Sequence, residues 1–119
     1  MTAADCLFCK IVAGEIPATV VRETPRTLAF RDINPQAAVH VLVVPKEHHE
    51  DARTLAMAEP QLLADVLVAG TEVAKAEGIA ESGYRIVFNT GPDAGRTVFH
   101  AHLHVLGGEQ LGHFGRHGA

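Results

Sequence analysis

The alternation of apolar and polar positions predicts most of a β-sheet. Residues 19–23 and Thr27–Arg31 carry β-branched or alternating apolar side chains on either side of a Thr-Pro turn, which indicates an antiparallel hairpin. Residues 39–44 are apolar on both faces except at His40, as is typical of a central strand covered on both sides. Residues 84–89 alternate again, so we expect a further strand there.

One stretch follows helical periodicity instead. Over residues 59–77 the apolar side chains recur at spacings of three and four, which predicts a long amphipathic helix with Pro60 in its first turn and Gly78 after its end. Near the start of the chain, Asp5 is placed to cap a short helix that runs to residues 10–13. The pattern therefore predicts helices packed on a sheet.

Composition and charge narrow the class of protein. The chain has 119 residues, 47% of them hydrophobic and 20% charged, which fits one domain over residues 1–119 with a loose tail at 109–119. A net charge of −4 argues against nucleic acid or an acidic membrane as a partner. The first residues carry no secretion signal and no stretch is apolar enough to span a bilayer, so we expect a cytoplasmic protein.

Three histidines, His100, His102 and His104, alternate with apolar residues. On a strand their imidazoles would share one face, with same-face neighbours about 7 Å apart. Upstream, the strand that ends at Asn89 leads into a loop with two glycines, whose backbone can approach an anion, and then to Thr97. The pattern predicts a phosphate site beside a row of imidazoles. A solvated strand face and a chelating metal triad are the alternatives.

Two cysteines, Cys6 and Cys9, stand in a Cys-x-x-Cys spacing. Two thiols cannot build a disulfide framework, and the five residues before them cannot supply the strand of a thioredoxin-type redox motif. Buried, inert thiols at a helix end and one half of a zinc site remain as alternatives. Zinc needs two further ligands, for which the candidates are His48, His49 and His100.

Two further polar residues each allow more than one interpretation. Asp32 follows a predicted strand, where a lone aspartate is most often a turn former or a helix cap. His40 lies within an apolar strand, where it is either satisfied by a backbone partner or part of a site beside the three histidines. The residues alone favour the turn former or cap for Asp32 and leave both alternatives open for His40.

Residues 100–106 (His-Ala-His-Leu-His-Val-Leu) resemble the signature of the histidine triad (HIT) superfamily, in which three histidines alternate with apolar residues. Five other segments resemble the Hint branch of that superfamily, in the same order: 8–11 (Phe-Cys-Lys-Ile), 14–18 (Gly-Glu-Ile-Pro-Ala), 30–35 (Phe-Arg-Asp-Ile-Asn-Pro), 44–48 (Val-Pro-Lys-Glu-His) and 105–108 (Val-Leu-Gly-Gly). The resemblance covers residues 5–108.

The resemblance implies an α+β fold in which a five-stranded antiparallel sheet carries one long and one short helix. It also implies that Asp32 holds the ribose hydroxyls of a nucleotide, that Ile33 lies against its base and that His40 belongs to the site. In members with Cys-x-x-Cys, the ligands of a structural zinc correspond here to Cys6, Cys9, His48 and His100. If His100 binds zinc, we expect its ring to turn away from the other two and the strand to begin irregularly there.

On this basis His102 is the expected nucleophile. Its attack on an α-phosphorus would give a nucleotidyl-histidine intermediate that water then hydrolyses. His104 and His40 are expected to stabilise charge around the phosphate. Polar contacts are expected from Asn89, Gly95 and Thr97. The Thr97 hydroxyl would assist the leaving group, and the scheme needs no catalytic cofactor.

The activity that the resemblance implies is cleavage of the P–N bond in purine nucleoside 5′-phosphoramidates. A dinucleoside polyphosphate hydrolase and a zinc-braced module that binds nucleotides without turnover are the alternatives. The resemblance also implies a homodimer that pairs through the long helix and residues 39–44 and extends the sheet. Two departures bear on the leaving group. Arg96 stands where Hint members usually have glutamine, and we expect it either to add a charge near the phosphate or to point to solvent. Residues 109–119 lack the tryptophan-containing C-terminal segment of Hint members.

Overall fold

A computed structural model describes residues 5–113 of the chain. In chain order its principal elements are α1 (Leu7–Val12), β1 (Val20–Glu23), β2 (Thr27–Arg31), β3 (Val39–Pro45), α2 (Ala52–Ala58), α3 (Pro60–Ala76), β4 (Tyr84–Phe88) and β5 (Leu103–Gly107). A short 3₁₀ turn, Pro92–Ala94, lies in the loop between β4 and β5.

The strands form one five-stranded antiparallel sheet in the spatial order β1-β2-β3-β5-β4. The predicted α+β fold is therefore confirmed. β3 is hydrogen-bonded to β2 on one side and to β5 on the other, so it is the central strand that its two-sided apolar pattern predicts. Since both sides of β3 are occupied, the expectation that residues 39–44 extend the sheet into a second copy is wrong. Within residues 5–113, free sheet edges remain at β1 and β4.

The two faces of the sheet are covered by different layers. The face under α3 carries the larger core, which includes Ala29, Val41, Val43, Leu103 and Val105. α3 lies so close to β5 that a Cβ built on Gly70 would come within 2.7 Å of Leu103 Cδ2. The opposite face carries a smaller cluster, in which Phe8 of α1 packs with Leu28, Phe30, Leu42 and Val44.

His40 and His104 lie on the face of the sheet that α1 covers. His40 alternates with Leu42 and Val44 along β3, and side chains two residues apart on a strand share a face. His104 of β5 lies directly opposite Leu42 in the register of the two strands. Because α1 has only six residues, it covers part of this face and leaves room for a cleft beside the histidines.

The ends of three elements differ from the prediction. α1 is capped by Cys6, whose Sγ accepts a hydrogen bond from the Cys9 N–H at 3.4 Å, so the expected cap at Asp5 is wrong. β4 ends at Phe88, one residue earlier than predicted. β5 begins only at Leu103, so His100 and His102 precede the strand and His104 alone of the three lies on it. This matches the irregular beginning expected at His100.

One helix was not predicted. α2 begins after Asp51, whose carboxylate accepts from the Thr54 N–H while the Thr54 hydroxyl accepts from the Asp51 N–H. Such a reciprocal pair satisfies two backbone donors that a helix start otherwise leaves free. Only Leu55 of α2 is buried, which is why apolar periodicity gives no signal for this element.

The segment predicted to be a loose tail falls partly outside the described residues. Within them, the Glu109 carboxylate accepts from the Ala38 N–H at 2.6 Å, and the Gly112 carbonyl accepts from the Arg85 side chain at 3.0 Å. Residues 114–119, like residues 1–4, are not described. Among the helices of residues 5–113, none has the length and apolar character required to cross a bilayer.

Candidate functional site

A cleft of about 370 Å³ opens on the α1 face of the sheet. One end is apolar and is formed mainly by α1 and the segment after it, with Leu7, Phe8, Ile11, Ile16 and Ile33. The other end is polar and is formed by the loop after β4 and by two histidines, with Asn89, Gly95, Arg96, Thr97, His102 and His104. An apolar pocket that ends in a few convergent polar groups is the usual form of a small-molecule site.

The His102 ring is held in one orientation at the polar end. Its Nδ1 lies 2.7 Å from the His100 carbonyl oxygen, so Nδ1 carries the proton and donates it. In the neutral ring the lone pair is then on Nε2. The ring packs edge-on against Phe8 at 5.0 Å between centroids and is 8% exposed. The fixed tautomer leaves Nε2 as a potential nucleophile or base.

His104 and His40 form a directed hydrogen-bond chain. The Gln36 N–H donates to His40 Nδ1 at 3.0 Å, which leaves the His40 proton on Nε2. That Nε2 lies 2.9 Å from His104 Nδ1, so His40 donates and His104 Nδ1 accepts. The proton of His104 is then on Nε2, 3.4 Å from Asn89 Nδ2; both nitrogens are donors in this tautomer, so each can donate to an acceptor in the cleft and not to the other. The backbone N–H of Gln36 thereby sets His104 as a donor at its outer nitrogen.

Burial keeps these three imidazoles neutral. It is the main cause that lowers the pKa of His102, to which the Arg96 guanidinium adds. Burial, together with the imidazoles of His102 and His40, lowers the pKa of His104 from 6.5 to about 4. The pKa of His40 is also lowered by burial, against the opposing charge of Asp32. At neutral pH the cleft therefore presents uncharged imidazoles with defined donors and acceptors.

Asp32 is the turn former that its sequence position favours, and it also lines the cleft. Its Oδ1 accepts from the Asn34 N–H at 2.8 Å, which is the hydrogen bond of a turn former. Its Oδ2 lies 3.5 Å from His40 Nε2, and the residue lines the cleft between the apolar end and the histidines. Ile33 beside it is 99% exposed at the rim. A carboxylate at that position is available to hydroxyl donors of a ligand.

Of the two contacts expected from the loop after β4, those of Gly95 and Thr97, the structure leaves one available to a ligand. Gly95 adopts a left-handed conformation with φ of 85° and closes the 3₁₀ turn by donating its N–H to the Pro92 carbonyl at 3.0 Å. Its N–H is therefore already used within the loop. Thr97 lines the cleft, and its hydroxyl has no hydrogen-bond partner among residues 5–113. This hydroxyl is the loop donor that remains available to a ligand.

The four residues expected as metal ligands form a second, separate cluster. The ligand atoms of Cys6, Cys9, His48 and His100 all lie within 4.8 Å of one another. Cys9 Sγ is 3.2 Å from His48 Nδ1 and 3.4 Å from His100 Nδ1, and Cys6 Sγ is 3.4 Å from His100 Nδ1. Ligands at ordinary Zn–S and Zn–N bond lengths in a tetrahedron lie roughly 3.6 Å apart. The arrangement fits a tetrahedral ion after a small expansion.

The protonation of this cluster also fits a metal. His100 Nε2 lies 2.9 Å from the Pro45 carbonyl oxygen, so Nε2 holds the proton and Nδ1 directs its lone pair at the two thiols. Burial lowers the pKa of His100 to about 4, which keeps the ring neutral. Burial and the Cys6 thiol raise the pKa of Cys9 to about 11. A bound cation would offset this cost by stabilising the thiolates. His49 is not in the cluster.

His100 connects the two sites. Its Nδ1 faces the cysteine thiols and its Nε2 faces the Pro45 carbonyl oxygen. The residue does not line the cleft. Its carbonyl oxygen, in contrast, accepts a hydrogen bond from the His102 Nδ1–H. The ring therefore belongs to the four-residue cluster and the backbone carbonyl to the cleft, as the expected turning away of the His100 ring requires.

Three parts of the site were not predicted. The apolar end was missed, although Leu7 and Ile11 at a spacing of four on a short helix could have indicated it. The hydrogen bond from the Gln36 N–H, which sets the tautomer of His40, depends on loop geometry that has no sequence signal. The Arg96 side chain was expected either to add a charge near the phosphate or to point to solvent. It is 11% exposed and stacks on Phe99 with Cζ 4.3 Å from the ring centroid.

The comparisons agree with this fold. The sequence model of the HIT domain family matches residues 13–111. The purine nucleoside phosphoramidase of Escherichia coli K12 is 38% identical over 110 residues, which cover 92% of this chain and 92% of that protein. The 14 kDa zinc-binding protein of Zea mays is 49% identical over 109 residues, covering 88% of this chain and 83% of that protein. A solved HIT family hydrolase from Legionella pneumophila is 50% identical, with a TM-score of 0.87 over 91% of this chain and 96% of that one.

The fold is α+β, with a five-stranded antiparallel sheet and a histidine-lined cleft. Together with these relatives, it defines a hydrolase-type histidine triad protein. The expected membership is confirmed, and the chain belongs to the HIT domain family.

Proposed function

We propose that this chain hydrolyses purine nucleoside 5′-phosphoramidates, releasing a nucleoside monophosphate and an amine. The observation that carries the proposal is the hydrogen bond from His102 Nδ1 to the His100 carbonyl at 2.7 Å. It leaves the lone pair on Nε2 of a ring that lines the cleft, as a nucleophile requires. The named activity of the Escherichia coli relative supports the same reaction.

In the first step His102 Nε2 attacks the phosphorus and forms a new N–P bond while the original P–N bond breaks. The leaving nitrogen takes up a proton and departs as an amine. The unpartnered Thr97 hydroxyl is suited to assist that departure by donating a hydrogen bond. Because burial lowers the pKa of His102, the nucleophile is neutral and reactive at physiological pH.

In the second step water attacks the phosphorus of the nucleotidyl-histidine and the bond to Nε2 breaks. The nucleoside monophosphate leaves, and His102 returns to its neutral form. His104 donates from Nε2 to a phosphoryl oxygen in both steps, with the Asn89 amide beside it. Preset donors of this kind stabilise the charge that develops on the phosphoryl oxygens. Gly95 contributes through the shape of its turn, since its N–H is bonded to Pro92.

The nucleoside would occupy the apolar end of the cleft. Ile33, which is exposed at the rim, and the α1 side chains offer apolar surface to a purine ring. Asp32 would accept hydrogen bonds from the ribose hydroxyls through Oδ2, because Oδ1 is held by the Asn34 N–H. This arrangement leaves the phosphate beside the histidines and directs the leaving amine toward the loop after β4.

We further propose that Cys6, Cys9, His48 and His100 hold a structural zinc ion. Four protein ligands fill a tetrahedral zinc site and leave no open position, so the ion would brace the fold without entering the reaction. The name of the Zea mays relative supports zinc as the metal. The proposed chemistry uses no other cofactor.

We also propose that the protein is a homodimer and that it is cytoplasmic. Since β3 is enclosed, continuation of the sheet has to use an edge strand. β1 is interrupted by an irregularity between Val20 and Arg22, a feature that protects edges from pairing. β4 is regular and exposes Ile86, so it is the better edge. A sedimentation mass equal to one chain at micromolar concentration would contradict the dimer.

The decisive experiment follows the nucleotide onto the protein. Adenosine 5′-phosphoramidate is mixed with the protein, the reaction is quenched in the first turnover, and peptides are mapped by mass spectrometry. We expect an adenylyl group on His102 and its absence in His102→Ala, with the exposed His113→Ala as the matched control. Diadenosine polyphosphates serve as the competing substrate class. Turnover by His102→Ala at the unaltered rate would refute the proposal.

A further inference from the structure

Arg96 is a buried cation that its surroundings satisfy poorly. The side chain is 11% exposed, and its Nη1 lies 3.6 Å from Asp51 Oδ2, which is longer than a hydrogen bond. Its Nε is buried and has no hydrogen-bond partner among residues 5–113. The remaining contact is the stacking on Phe99. A guanidinium has five N–H donors in a fork, so most of its capacity to bind an anion is unused.

The carboxylate that faces Arg96 is itself shared. Asp51 Oδ1 caps α2 by accepting from the Thr54 N–H at 2.9 Å, and Asp51 does not line the cleft. An anion inside the cleft could form shorter, charge-assisted hydrogen bonds with the guanidinium than Asp51 does. A ligand can therefore replace the contact between Arg96 and Asp51, which we call the resting contact, without breaking a hydrogen bond.

The position of Arg96 indicates which part of a ligand it meets. Arg96 lies on the loop after β4, next to Thr97, and belongs to the polar part of the cleft lining. With the nucleoside in the apolar end and the phosphorus at His102, the substituent that leaves the phosphorus extends toward the loop that carries Arg96. The reactive phosphate already has neutral donors in His104, Asn89 and Thr97.

We propose that Arg96 is a specificity-determining residue that exchanges Asp51 for an anionic group on the leaving side of the substrate, a carboxylate or a further phosphate. The proposal rests on the proposed phosphoramidase function and adds the substrate class. Preferred substrates are nucleoside phosphoramidates whose departing amine carries an acidic group. A buried guanidinium left without that anion discriminates against neutral leaving groups.

The test compares two matched substrates, adenosine 5′-phosphoramidates of glycine and of glycinamide, which differ in one carboxylate. The measured quantity is the ratio of their kcat/KM values. We expect Arg96→Gln to lower this ratio by about tenfold or more, the size of a lost charge-assisted hydrogen bond. Asp51→Asn keeps the helix cap, since asparagine caps as well as aspartate, but weakens the resting contact. It should raise the ratio.

A second measurement separates the two anion sources and stays valid if no phosphoramidate is turned over. Calorimetric affinities of ADP and AMP for the same proteins report whether a further phosphate is bound by Arg96. A loss confined to the glycine substrate identifies a carboxylate site, and a loss confined to ADP identifies a phosphate site. Arg96→Lys, which retains the charge, should keep part of either preference.

Two results would overturn the inference. One is an Arg96→Gln protein whose glycine-to-glycinamide ratio and ADP-to-AMP ratio both equal those of the wild type. The other is an equal loss for every substrate and ligand, which would place Arg96 at the reactive phosphate or in a purely structural role. A wild type that cleaves neither phosphoramidate would refute the proposed function, while the ADP and AMP affinities would still decide the role of Arg96.

Discussion

His40 Nε2 lies 2.9 Å from His104 Nδ1, so one imidazole determines the tautomer of the other. His40 is itself fixed by the Gln36 N–H at 3.0 Å. A backbone group on the loop before β3 thereby decides which nitrogen of His104 can donate into the cleft. The hydrogen-bonding state of the site thus follows from the main chain.

Replacing His40 should therefore lower activity through His104, because His40 sets the tautomer of that ring. In His40→Leu the His104 ring loses its donor at Nδ1 and can adopt the other tautomer, so we expect kcat to fall roughly 10- to 100-fold, with a smaller change in KM. His40→Gln retains a side-chain N–H and should recover part of the rate. Nitrogen chemical shifts of His104 report the tautomer, and an unchanged Nε2–H signal in His40→Leu would contradict the mechanism.

The lowered pKa of His104 predicts a loss of stability in mild acid. An unfolded chain binds a proton at this imidazole near pH 6.5, whereas the folded protein does so only at about pH 4. The contribution of His104 is therefore complete above pH 6.5 and is lost as the pH falls from 6.5 to about 4. Urea unfolding across this range should be less sensitive to pH in His104→Gln than in the wild type. Both proteins are compared without added metal, and parallel curves would refute the assignment.

Removal of one thiol should release the metal and destabilise the α1 face. We expect Cys9→Ser to lose stoichiometric zinc and about 3 kcal/mol of unfolding free energy, or roughly 12 °C in Tm. The matched control is His113→Ala, which replaces an exposed histidine outside the cluster and should keep both. Elemental analysis and thermal unfolding check the prediction. Full zinc content in the Cys6→Ser, Cys9→Ser double variant would exclude the proposed ligand set.

The left-handed backbone conformation of Gly95 predicts that a substitution there lowers the free energy of unfolding, although there is room for a side chain. A Cβ at this position meets nothing within 4 Å, so Gly95→Ala is penalised only through its φ of 85°, by about 1–2 kcal/mol. Gly95→Asn should cost less, because asparagine tolerates this conformation. Gly112→Ala, equally free of contacts, is the control without a positive φ. Chemical denaturation measures the order, and equal losses at both glycines would contradict it.

The sheet was largely predictable because its signals are local. The second strand matches its predicted bounds, and β3 differs by one residue, since β-branched apolar runs between turn residues define both. α2 was missed because one buried residue cannot create a periodic pattern. Its Asp51-x-x-Thr54 capping pair was the available signal, with threonine in place of the usual glutamate or glutamine.

The site was predictable in its residue types but not in its tautomers. The spacing of His100, His102 and His104 indicated an imidazole cluster, yet only the fold shows that His102 as well as His100 precedes the strand and that the His100 carbonyl fixes the His102 tautomer. The position of Arg96 depends on a carboxylate 45 residues earlier in the chain, at a helix start that periodicity did not indicate. Contacts between loops distant in sequence leave no periodic trace.

The two roles of His100 create a dependence that runs one way. The His102 ring is bonded to the backbone carbonyl of His100 and not to the His100 ring, so a substitution of His102 removes no contact between His100 and the two thiols. A change at those thiols, in contrast, is expected to shift the peptide that orients the proposed nucleophile. Damage by oxidants or chelators at α1 would consequently silence the enzyme from a distance, whereas a spent or substituted nucleophile would leave a fully braced, correctly folded protein.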